Sequence, residues 1–197
     1  MNIDQLNSIM PLAQSRAAAA IDALNAAMDE WEINTPARQA FFLAHLAHES
    51  GELRYTREIA SGAAYEGAAR LGNTHSGDGP RFRGWDWPQI TGRKNTRLAS
   101  LALYGDERLI ERPDLLDQST PERCARVSAW FWRVGAGLNL VRAARDYGLM
   151  DGCDLNATAD AGDFKGSTFA WNGGLNGYTQ RLIYLERGKA ALLGDTV

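Results

Sequence analysis

The chain has 197 residues, 45% of them hydrophobic, with six each of Trp, Tyr and Phe. That is enough for one folded domain with a buried core, and too apolar for a disordered chain. A net charge of −3 excludes a general nucleic-acid binder, which carries a basic excess, and gives no overall attraction to an anionic cell wall.

Two cysteines, Cys124 and Cys153, are too few for a disulfide framework and predict reduced, partly buried thiols. The start, Met1-Asn2-Ile3-Asp4, lacks the positive region of a secretory signal, and the alanine-rich run from Ala17 is broken by Asp22 and Asn25. No apolar run is long enough to span a bilayer. Synthesis in a cytoplasm without a signal peptide, and no insertion into a membrane, are therefore expected.

In chain order, Ile3, Leu6, Ile9 and Met10 have helical spacing before Pro11. A second helix is predicted from about Gln14 to Trp31, with Ala17, Ile21, Leu24 and Met28 on one face. Asn34-Thr35-Pro36 opens a third, with Thr35 as N-cap and Pro36 at the first helical position. On it Phe42, Leu46 and Glu49 stand at i, i+4 and i+7, so Glu49 extends the apolar stripe. Burial disfavours the charged form of a carboxylate, which is the condition a general acid needs.

Gly51 offers a stop. In an unbroken helix Glu49 and Glu58 would lie on opposite faces and about 13 Å apart along the axis. A joint role requires the chain to turn between them. The composition from Ser61 to Gly84 is that of a loop, with six glycines among turn residues. Phe82, Trp85 and Trp87 beside it suit a sugar-binding cleft, where pyranose faces stack on rings.

Helix resumes at about Thr96 to Tyr104. Thr120-Pro121 opens another through Ala125, Ala129 and Trp132, ended by Gly135 and Gly137. Leu138 to Tyr147 reads as a further helix with Gly148 at its stop. The segment Asp163–Phe169 leads into a turn at Asn172-Gly173-Gly174, and a last helix runs from about Tyr178 to Leu193. With no repeat, linker or boundary, residues 1–197 are expected to form a single, mainly α domain with a loop-built cleft and no separate wall-binding module.

Plainer readings stand beside these. Glu49 could be a structural carboxylate paired with Arg54 or Arg93. Glu52 and Glu66 are alternatives to Glu58. Trp130-Phe131-Trp132 on a helix is more often core than a sugar platform. His45, His48, Glu49 and His75 lack the spacing of a zinc-protease site, so no metal and no cofactor are expected.

The motifs His48-Glu49-Ser50-Gly51, Leu53-Arg54-Tyr55, Leu71-Gly72-Asn73-Thr74, Gly77-Asp78-Gly79, Phe82-Arg83-Gly84, Gln89 through Asn95, Trp130-Phe131-Trp132 and Asn172 through Gly177 occur together in one order. In this the chain resembles glycoside hydrolase family 19, of lysozyme-like fold, and more closely its phage-endolysin branch. The resemblance implies that Glu49 is the general acid, Glu58 the general base, and Thr91 the hydroxyl that holds the attacking water. It places Asn95 and Asn172 against the N-acetyl sugar and Arg181 in the charge network near the base. Tyr55, Trp85, Trp87 and Gln89 are assigned to substrate contact, with His48 and Arg93 in support.

One departure stands out: the family's Arg-Gly-Arg-Gly reads Arg83-Gly84-Trp85-Asp86 here. That is expected to put an extra carboxylate, Asp86, near the site.

The expected function is that of a phage-type endolysin, a muramidase cutting β-1,4 bonds of peptidoglycan glycan strands with inversion. A chitinase and a catalytically silent wall-binding module are the alternatives. Host cytoplasmic synthesis, release to the wall by a separate holin-type factor, action as a monomer and no nucleic-acid partner complete the expectation.

Overall fold

A computed structural model describes residues 1–136 and 154–194. The helix expected over 138–147, its stop at Gly148, and also Gly137 and Cys153, lie outside the described residues. The ten helices described are α1 (Ile3–Ile9), α2 (Ser15–Glu30), α3 (Pro36–Ser50), the short α4 (Asp78–Arg81), α5 (Arg93–Tyr104), α6 (Arg108–Glu111), α7 (Pro121–Trp130), α8 (Leu155–Asp160), α9 (Phe164–Asn172) and α10 (Tyr178–Leu193). Among the described residues there is no strand, only isolated bridges joining Arg57 to Trp85 and Trp85 to Ile90. None of the described helices is long and apolar enough to cross a membrane.

Both Thr-Pro pairs start helices as expected. The Thr35 hydroxyl accepts the Arg38 N–H at 3.2 Å, and the Thr120 hydroxyl accepts the Arg123 N–H at 3.3 Å; each satisfies a donor that the first helical turn leaves free. α3 is the central element: Ala40 through Ala47 are all buried. Its length packs against α10, while α2 lies on α7 and α1 on α10. Phe42 of α3 meets Trp132 edge-on at 5.9 Å between ring centres, with Trp171 at 6.5 Å.

Two local expectations are corrected, and one helix appears where none was assigned. α7 does not end at Gly135; it passes into a π-turn over Phe131–Gly135 and stays helical at Ala136. α5 begins at Arg93, three residues early. The segment after Asp163 is helical, although Gly166, Ser167 and Thr168 are weak helix formers. Tertiary burial of Phe164, Ala170 and Trp171 overrides that weakness, and Asp163 caps the Gly166 N–H at 2.8 Å.

Candidate active site

The C-terminal half of α3 carries a polar stripe at helical spacing that meets the first turns of α10. The Arg181 guanidinium, 1% exposed, donates to Glu49 Oε1 and, at 3.1 Å, to His45 Nδ1. His48 Nδ1 donates to Gln180 Oε1 at 2.9 Å. Glu49 itself is 19% exposed, so one edge of its carboxylate is free to meet a ligand.

After Ser50 the chain turns sharply and does not continue the helix. Gly51, Glu52 and Leu53 are successively left-handed, at φ of 56°, 58° and 65°. The Ser50 hydroxyl accepts the Leu53 N–H at 2.8 Å. Glu52 is buried, accepting the Leu12 N–H at 2.5 Å and the Tyr184 hydroxyl at 2.9 Å. Burial and that carboxylate push the Tyr184 phenol up to about 12.

The turn delivers residues 56–58 alongside 84–86. Glu58 N–H donates to the Gly84 carbonyl at 2.9 Å and Asp86 N–H to the Thr56 carbonyl at 2.8 Å. The Glu58 carboxylate then accepts one bond on each oxygen, from the Tyr65 hydroxyl at 3.0 Å and from Gly84 N–H at 2.9 Å. Burial, and the bond to Glu58, raise the Tyr65 phenol above its usual value, so it remains a donor.

A cleft of about 420 Å³ opens over Glu49. Of the residues singled out from the sequence, Glu49, Gln89, Thr91, Asn95 and Asn172 line it together. Thr91 Oγ1 donates to the Gln89 carbonyl at 3.0 Å, which leaves its lone pairs for a water, and Asn95 Nδ2 donates to the Thr91 carbonyl at 2.9 Å. Glu58 stands behind Gly84, outside the lining. A methyl group on Gly84 would lie 2.5 Å from Gln89 Oε1 and 3.3 Å from Glu58 Oε2, so Gln89 and Glu58 are near neighbours across that glycine. Arg70 and Trp171, which the sequence did not single out, also line the cleft, as do Leu71 and Phe131, the latter weighed as a sugar platform but read as core. The polar lining at Asn172 was the available signal for its neighbour Trp171.

Several expectations fail on geometry. Trp85 is 0% and Trp87 3% exposed, so neither can stack on a sugar; the Trp85 indole N–H is spent on Thr96 Oγ1 at 3.0 Å. Asp86 is fully buried on the far side of the same turn, paired with Arg123 at 2.7 and 2.9 Å and bonded by Ser119 at 2.5 Å; it adds no carboxylate to the cleft. Arg181 belongs to the proposed acid, Glu49, and not to the base. That also removes Arg54 and Arg93 as partners of Glu49.

Arg93 instead clamps Asp78 at 2.6 and 2.9 Å over the face of Phe82. Arg57 holds the carbonyls of Arg81 and Arg83 and pairs with Asp117, leaving Glu58 to neutral donors. Tyr55 is exposed beneath Arg54 and outside the cleft lining. Glu66 accepts Gly77 and Gly79 N–H at 2.7 and 2.8 Å at the start of α4, so neither it nor Glu52 competes with Glu58.

The three histidines point to different places, and among the described residues no group of three His, Cys, Asp or Glu could hold a metal. Burial, with Arg181 and His48 close by, drives His45 well below its usual value; burial and Arg181 also lower His48. Both are neutral near pH 7. Cys124 is a free, buried thiol raised by burial and by Asp86.

No protein-family model matches the chain. Its mostly helical architecture is the lysozyme-like fold of the family 19 chitinases. Chitinase C from Streptomyces griseus HUT6037 matches with a TM-score of 0.71 at 23% identity, over 97% of this chain and 76% of that one. A bacterial family 19 chitinase gives 0.67 at 21% identity, covering 97% and 94%. A family GH19 class IV chitinase from Zea mays gives 0.61 at 21%, covering 91% and 82%. At these identities the likeness establishes the fold.

Proposed function

We propose that the chain is a phage-type endolysin that hydrolyses β-1,4 glycosidic bonds of bacterial peptidoglycan by single displacement with inversion. The observation that carries this is Glu49, partly exposed in a cleft lined by Gln89, Thr91, Asn95 and Asn172. The sharing of a fold with glycoside hydrolases supports it. Protonated Glu49 gives its proton to the leaving glycosidic oxygen. Glu58 takes a proton from a water whose oxygen attacks the anomeric carbon from the opposite face, and the water is held by Thr91. An inverting pair stands about 6.5–9.5 Å apart to leave room for that water. The reaction needs no metal or cofactor in this scheme.

In this reading the protein is made in the host bacterial cytoplasm, reaches the wall once a separate holin-type factor opens the membrane, and works as a monomer. A chitinase is the second reading, favoured by the solved structures that share the fold, whose own names are those of chitinases.

The test is to incubate the protein with purified peptidoglycan and with chitin oligomers. New reducing ends are then identified by mass spectrometry after borohydride reduction. Reduced N-acetylmuramic acid is the expected end; cleavage of chitin oligomers alone overturns the muramidase reading in favour of the chitinase. Glu49→Gln and Glu58→Gln should each lose at least about 100-fold in kcat while remaining folded. Full activity in folded Glu58→Gln would assign the base elsewhere.

A further inference from the structure

Behind Glu49, away from the cleft, runs a buried chain of polar groups that the scheme above does not use. The Ser167 hydroxyl of α9 donates to the Phe164 carbonyl at 3.0 Å, so toward His45 Nε2, also at 3.0 Å, it acts as acceptor. On the other side of the ring the partner is Arg181, which has only protons to give, so His45 Nδ1 must accept. The two contacts together specify a neutral imidazole protonated on Nε2. The ring is held flat between Phe164, 4.8 Å away, and Trp171, 5.6 Å away, and is 0% exposed. The remaining Arg181 contacts are Glu49 and, at 3.3 Å, the Asn176 carbonyl.

We propose that His45 is a positioning residue. Held in its Nε2–H form by Ser167, it offers a bare Nδ1 that aims the Arg181 guanidinium, and through it sets the orientation of the Glu49 carboxylate in the cleft. His45 does not itself line the cleft; its ring backs onto it through Trp171. This rests on the catalytic assignment of Glu49. Its consequence is that kcat depends on an acceptor at the Nδ1 position, while substrate binding does not.

Asparagine places a carbonyl oxygen where His45 Nδ1 stands; leucine fills the space with no acceptor. With purified peptidoglycan as substrate, His45→Leu should lose about 100-fold in kcat, as expected for a misoriented catalytic group. KM should stay within about twofold, and His45→Asn should recover most of the lost kcat. In the wild-type protein, 1H–15N spectra of the ring should show Nε2 protonated and Nδ1 bare throughout about pH 5 to 8, where a free imidazole titrates. This readout needs no variant to fold.

A folded His45→Leu with wild-type kcat overturns the proposal. So does an Asn variant no better than the Leu variant, or a ring protonated on Nδ1. Wild-type activity in Glu49→Gln would sink the catalytic assignment instead, which distinguishes the two failures.

Discussion

Glu58 and Gly84 are bonded to each other twice: Gly84 N–H donates to the Glu58 carboxylate, and Glu58 N–H to the Gly84 carbonyl, both at 2.9 Å. The proposed base is thus fixed by backbone, and its partner has no side chain because Gln89 occupies the space where one would stand. In Gly84→Ala the new methyl must displace the Gln89 carboxamide or the Glu58 carboxylate. Steady-state assays should show kcat down by about 100-fold, with a stability loss of about 1–3 kcal/mol from overpacking.

Asp86, which with Trp85 departs from the related pattern, is structural. Asp86→Asn keeps a residue type that tolerates the observed φ of 51°, but leaves the buried Arg123 cation without its counter-charge. Loss of one partner of a buried pair costs about 3–5 kcal/mol. Thermal unfolding should therefore begin roughly 10 °C lower. Activity per folded molecule at room temperature should be unchanged, because the carboxylate faces away from the cleft.

Trp85→Phe tests whether that ring meets substrate. The variant loses the bond to Thr96 and part of the packing, a change of about 1–3 kcal/mol in denaturant unfolding. KM should not move. A several-fold rise in KM with unaltered stability would instead place the ring in the cleft.

Asp78 supplies a pH dependence. Burial works to raise its carboxyl, but the Arg93 guanidinium and the His75 N–H outweigh that and hold it at about 2. Because the folded value lies below the unfolded one, the stabilisation is present above about pH 4 and is lost as pH falls toward 2. It amounts to about 2 kcal/mol. In Asp78→Asn the unfolding free energy should fall at neutral pH and lose this part of its slope between pH values of about 4 and 2.

The helical frame was legible because its signals are local. Thr35-Pro36 and Thr120-Pro121 cap and start helices by themselves, and Gly51 marks the end of α3 within the same few residues. The gathering of Thr91, Asn95 and Asn172 over Glu49 followed from motif resemblance. What was not legible depends on partners far along the chain. Arg181 lies 132 residues from Glu49, and nothing near either residue announces the pairing. Trp85 and Trp87 sit in a glycine-rich loop and read as exposed, but the loop folds inward and the rings become core. α9 was hidden because its stability comes from burial against α3 and not from its own residues.

The three left-handed residues after Ser50 have a consequence for how the molecule is assembled. Two of them, Glu52 and Leu53, bear side chains and are disfavoured there by about 1–2 kcal/mol each. The contacts that offset this come from segments far apart in sequence: Leu12 before α2 and Tyr184 in α10 both bond Glu52. A nascent chain that has not yet delivered residues 178–193 lacks the Tyr184 hydroxyl that bonds Glu52, as well as the arginine that meets Glu49. The local helices can form as they emerge from the ribosome, but the Glu49 carboxylate gains its Arg181 partner only when α10 docks. The docking of α10 thus sets the moment at which the Glu49 carboxylate is held in place.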